Sequence, residues 1–71
     1  MSDRAEPFDV VALLDDVDGT SLRRGQVGTV VESLGDGNVI VEFSDDDGRA
    51  YAMQTLPCAS LLVLHYVPAA A

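Results

Sequence analysis

Short apolar runs alternate with polar turn signals along the whole chain. The runs cover residues 9–14, 25–33, 39–44, 50–56 and 61–67, and Asp-Gly pairs at 18–19, 36–37 and 47–48 lie between them. Asp-Gly readily adopts the positive φ angles of tight hairpins. The pattern therefore predicts a meander of five β-strands.

Strict alternation assigns the two faces of the third predicted strand. Val39, Val41 and Phe43 point one way and predict the core, whereas Ile40 points outward. In the fourth strand the same reasoning favours Tyr51 and Met53 as core residues, although alanine at the alternate positions is tolerated on either face.

Two local features add detail. Gly25 and Gly28, three residues apart at the entry to a β-branched run, predict a sharply bent second strand. Residues 56–61 are too few for a stable α-helix, and Pro57 suits the start of one tight turn, so we expect a one-turn 3-10 helix before the last strand.

This order of elements resembles the small Src-homology-3-like (SH3-like) β-barrel, and Gly25, Gly28 and Val30 resemble the KOW element of ribosomal and transcription proteins. The predicted fold is all-β: a small five-stranded SH3-like barrel. We expect an N-terminal arm at 1–7, a single barrel domain at 8–67 and a C-terminal tail at 68–71.

A closer resemblance covers about residues 8–64. It is carried by DVVAL at 9–13, LRRGQVGTVVE at 22–32, VEF at 41–43, DGRAYA at 47–52 and LP at 56–57. These segments resemble a family of small bacterial proteins described as domain of unknown function 4926. The resemblance implies no catalytic or ligand-binding residues.

The net charge of the chain limits the classes of partner that it can bind. Four Arg, no Lys and twelve Asp plus Glu give a net charge of −8, which repels nucleic-acid phosphates and anionic lipids. The single cysteine allows no internal disulfide, and a reducing cytoplasm is the simplest setting. No targeting signal or membrane segment is expected from the pattern.

Few residues are candidates for metal binding or catalysis. A calcium site is suggested by the consecutive carboxylates of Asp45, Asp46 and Asp47. In the register of an EF-hand loop, however, Phe43 and Gln54 would occupy positions that must supply ligands. The acidic cluster at 15–18 does not fit that register either. Cys58 and His65 are the only thiol–imidazole pair, with no evident third group to orient the imidazole. We therefore expect no enzyme activity, no cofactor and no metal.

The last predicted strand is apolar on both faces, which indicates that both faces are covered, by the rest of the chain or by another chain. The candidate protein interface comprises Ile40, Val63, His65 and Tyr66. We expect a non-catalytic protein-interaction module that binds itself or a more basic partner as an accessory or neutralising subunit. The alternative is a KOW-like RNA- or ribosome-associated protein whose contacts are Arg23, Arg24 and Arg49.

Overall fold

The computed structural model describes residues 5–45 and 47–65. It contains the strands β1 (Val10–Leu13), β2 (Val27–Ser33), β3 (Asn38–Ser44), β4 (Ala50–Pro57) and β5 (Leu61–Val63), with a 3-10 helix at Cys58–Ser60. The five strands and the 3-10 turn before the last of them confirm the all-β prediction. Within the described residues, no helix has the length and hydrophobicity needed to cross a membrane.

The strands form one antiparallel sheet in the order β4-β3-β2-β1-β5. Pairing does not continue from β4 to β5, so the sheet is open within the described residues and these two strands are its edges. The strands and the 3-10 turn follow one another along the chain in the predicted order, but the described strands form an open sheet and do not close into the predicted barrel.

One face of the sheet carries the core. β3 alternates as predicted, because Val39, Val41 and Phe43 are all fully buried. Residues from the other strands and the β1–β2 loop complete the cluster: Val11, Leu13, Leu22, Val30, Leu56 and Leu61. Ala5 also belongs to the core, although it lies in the segment predicted to be an N-terminal arm.

The predicted orientation of β4 is wrong. Tyr51 and Met53 are 47% and 59% exposed, whereas Leu56 is buried and Ala52 packs against the core. The cause is the register with β3, which sets Leu56 opposite Val39, and directly opposed residues share a face. A shift of the register between Phe43 and Ser44 skips Tyr51, so this residue occupies a β-bulge.

Phe8 has an unusual backbone for an aromatic residue, with φ of 73°. Its N–H donates to the carbonyl of Val30 at 2.7 Å, and the Glu6 carbonyl accepts from the N–H of Asp9 at 3.0 Å. These bonds hold the turn before β1 while the Phe8 side chain stays 82% exposed. Residues 1–4, Asp46 and residues 66–71, which include Tyr66 and the predicted tail at 68–71, lie outside the described residues.

Candidate interaction surface

The face of the sheet opposite the core carries a row of apolar side chains, which we call the outer row. Ala12 of β1 lies opposite Val27 of β2 on one side and opposite Leu62 of β5 on the other. Val27 is 46% exposed and Leu62 is 52% exposed. Three adjacent strands thus present a continuous apolar line that no described element covers.

The next row of the same face is mixed in polarity. Thr29 lies opposite Val10 and also opposite Glu42, which in turn lies opposite Met53. Glu42 is half-buried and lies in the ladder between Thr29 of β2 and the exposed Met53 of β4. The outer face therefore combines apolar area with negative charge.

Acidic loops border this face at one end. The β1–β2 loop contains Asp15, Asp16 and Asp18, and the β3–β4 turn contains Asp45 and Asp47. Tyr51 links the two segments, because its hydroxyl accepts a hydrogen bond from Nε2 of Gln26 at 2.9 Å. All five carboxylates are exposed, and together they form what we call the acidic rim.

Several of the carboxylates also hold their own loops. One oxygen of Asp45 accepts from the N–H groups of Asp47 and Arg49, both at 2.9 Å. Asp16 accepts from the N–H of Arg24 at 2.8 Å. Such local bonds explain why aspartate is favoured in these turns. Among the described residues, no group of three or more metal-ligating side chains comes together.

The three arginines of the alternative hypothesis, RNA binding, lie on the same loops as the acidic rim. Arg23 and Arg24 are on the β1–β2 loop and Arg49 ends the β3–β4 turn, all exposed. Nη1 of Arg23 donates to the carbonyls of Thr20 at 3.0 Å and Leu22 at 3.3 Å. Three arginines therefore lie on the same two loops as the five described carboxylates.

The four residues of the predicted protein interface occupy different places. Ile40 lies on the outer face between Glu32 and Thr55 and is half-buried. Val63 is half-buried and packs against the core, so Leu62 is the residue by which β5 contributes to the outer face. His65 is exposed just after β5, and Tyr66 lies outside the described residues.

Sequence reasoning missed the outer row. Val27 and Leu62 are 35 positions apart, and they come together only because β1 pairs with both β2 and β5. The local signal that could have found it is the run at 61–67, because a strand that is apolar on both faces must direct some apolar side chains away from the core.

The two glycines of the predicted bend have separate roles. Gly25 has φ of 90° and lies before β2 rather than in it. Gly28 is buried within β2, and a Cβ there would lie 2.7 Å from Cγ1 of Val41 and 2.9 Å from the carbonyl oxygen of Glu42. Gly25 permits the turn into the strand, whereas Gly28 permits close packing against β3.

Cys58 opens the 3-10 helix and packs, half-buried, against the core. Its N–H donates to the carbonyl of Gly37 at 2.9 Å, which ties the helix to the β2–β3 turn. This position gives Cys58 a packing role.

Comparison with known proteins identifies a family. No curated protein and no solved structure matches the chain. The model of the family "Domain of unknown function (DUF4926)" matches residues 7–63, which is most of the chain, and the protein therefore belongs to that family.

Proposed function

We propose that the protein is a non-catalytic protein-interaction module that serves as an accessory or neutralising subunit for a more basic protein. The observation that carries this proposal is the outer row of Leu62, Ala12 and Val27 beside the acidic rim. Full burial of a Leu or Val side chain is worth about 1.5–3 kcal/mol, and the two larger residues of the row are still roughly half exposed.

Charge would act at a different stage of binding. The net charge of −8 and the acidic rim attract a positively charged surface from a distance, which raises encounter rates and disfavours acidic competitors. Burial of the outer row then slows dissociation. A reducing cytoplasmic setting, in which Cys58 stays a thiol, belongs to the same proposal.

The test compares two substitutions of the same chemistry. Leu62→Asp places a carboxylate in the outer row, and Leu34→Asp does so at another exposed leucine, on the β2–β3 turn. Each tagged chain is used to capture proteins from lysate, and the bound proteins are identified by mass spectrometry. We expect one basic protein to be retained by the parent and by Leu34→Asp, and lost with Leu62→Asp.

Light scattering after size exclusion completes the test. A dimer of the parent that Leu62→Asp dissociates would identify the partner as a second copy and would overturn the more basic partner. A strict monomer that retains no protein would refute the proposed function, as would retention that is equal for both aspartate variants.

The alternative function is RNA or ribosome association through Arg23, Arg24 and Arg49. The observation in its favour is that all three lie at the same end of the sheet. Three cations neutralise few phosphates, so binding would be weak and would fall steeply with salt. Retention of RNA at low salt by the parent but not by an Arg23→Glu, Arg24→Glu double variant would favour this alternative.

A further inference from the structure

The free edge of β4 offers backbone hydrogen-bonding groups to solvent. β4 is the last strand in the sheet order and pairs only with β3. The N–H of Cys58 donates to the carbonyl of Gly37 on the β3 side. Gly37 and Cys58 continue the register of the β3–β4 ladder, so they form a hydrogen-bonded pair. Hydrogen-bonded pairs alternate along an antiparallel ladder. The backbone N–H and C=O groups that point towards β3 are therefore those of every second residue before Cys58, namely Leu56, Gln54 and Ala52.

The intervening residues direct their groups the other way. The N–H and C=O groups of Met53 and Thr55 therefore point away from β3, where the described residues provide no strand. The bulge at Tyr51 and the missing N–H of Pro57 limit the usable edge to residues 52–56.

This edge lacks a common protection against further pairing. Charged side chains on an exposed edge strand, above all lysine, are one common device that prevents another strand from adding. β4 has the sequence AYAMQTLP, with no charged residue in its eight positions. β5, the other edge, has only three residues. The edge of β4 is thus the longer and the more receptive of the two.

The surroundings of the edge define the charge of its occupant. Asp45 and Asp47 lie at the start of β4, Asp36 lies in the turn that contacts its end, and Glu42 lies opposite Met53. Arg49 is the one cation among these flanking positions. A second copy, with its own net charge of −8, would be repelled here, whereas a basic segment would be attracted.

We propose that the edge at residues 52–56 pairs with an extended basic segment of a partner protein, which adds a sixth strand to the sheet. The segment carries Lys or Arg at both ends, near the acidic turns, and an apolar side chain beside Met53. This inference rests on the proposed function, because it specifies how a basic partner is recognised.

The experiment uses the full chain labelled with ¹⁵N and the synthetic peptide Lys-Arg-Val-Thr-Val-Thr-Val-Arg-Lys as the probe. We expect the peptide to shift the amide resonances of Met53 and Thr55 and to slow their hydrogen exchange. A peptide with Glu at the four basic positions should bind at least about tenfold more weakly, because like charges then meet at both ends.

Two variants of the edge have matched controls. Thr55→Pro removes an outward N–H, and Thr55→Ala keeps it. Met53→Lys adds a cation on the edge strand, and Val31→Lys adds the same charge at an exposed position of β2, two strands away from the edge. We expect Thr55→Pro and Met53→Lys to weaken peptide binding by roughly tenfold or more, and both controls to bind like the parent.

Other outcomes would overturn the inference. These are no response at millimolar peptide, shifts confined to Val27 and Leu62, equal binding of the Glu peptide, or protection of Met53 and Thr55 in a peptide-free dimer. If the peptide fails in this way while a basic protein is still captured through Leu62, the edge is refuted and the proposed function stands. Loss of that capture as well refutes both.

Discussion

Gly28 of β2 leaves the space that the ring of Phe43 of β3 fills. A Cβ built on residue 28 would lie 2.9 Å from Cδ1 of Phe43, closer than real Cβ contacts allow. Gly28 is buried, and Phe43 is the largest fully buried side chain of the core. Absence of a side chain at one position is therefore what admits the largest side chain at another.

The first prediction concerns this contact. Gly28→Ala should lower the free energy of unfolding by about 1–3 kcal/mol, and Gly28→Val by more, because the added atoms meet backbone as well as side chains of β3. Thermal denaturation followed by circular dichroism measures the effect. Thr29→Ala, on the outer face of the same strand, should change the melting temperature little; equal melting of the Gly28 variants and the parent would contradict the packing assignment.

The second prediction concerns the strained backbone at Phe8. A left-handed conformation costs a non-glycine residue about 1–2 kcal/mol, and Asn tolerates it better than other residues. Phe8→Asn should therefore raise the melting temperature, because the exposed ring loses little burial. Phe8→Val should lower it, since a β-branched side chain fits this region worst. If Phe8→Val melted at a higher temperature than Phe8→Asn, the turn could not hold residue 8 at φ of 73°.

The third prediction separates the local role of Asp45 from its charge. Asp45→Ala removes the acceptor of two backbone N–H groups and should cost about 1 kcal/mol of stability. Asp45→Asn keeps an acceptor oxygen and should cost less, while Asp47→Ala should be nearly neutral. Urea denaturation of the three variants provides the comparison, and an equal loss in Asp45→Ala and Asp47→Ala would contradict it.

The fourth prediction tests which side of β4 is free. Gln54→Pro removes a hydrogen bond to β3 and should cost about 3 kcal/mol or more, whereas Thr55→Pro removes an N–H that faces solvent and should cost far less. Denaturant unfolding of both variants distinguishes them. If Thr55→Pro lowered the free energy of unfolding more than Gln54→Pro, then Met53 and Thr55 would be the residues bonded to β3. Their N–H groups would not be free, and strand addition at this edge would have no basis.

Features with a local cause could be predicted from the sequence. Val39, Val41 and Phe43 alternate with less apolar residues, and period-two alternation directly reports which face is buried. Asp-Gly at 36–37 and 47–48 marks the turns, and Gly37 and Gly48 have the positive φ that such turns need. The one-turn helix after Pro57 follows from the short connection.

Other features depend on contacts between distant parts of the chain. The inward face of β4 is set by Leu56 opposite Val39, because alternating alanines give no preference of their own. The outer row exists only because β1 pairs on both sides, which brings Val27 and Leu62 to the same line. Periodicity along a strand acts over neighbouring residues, whereas register between strands is chosen by packing of the whole sheet.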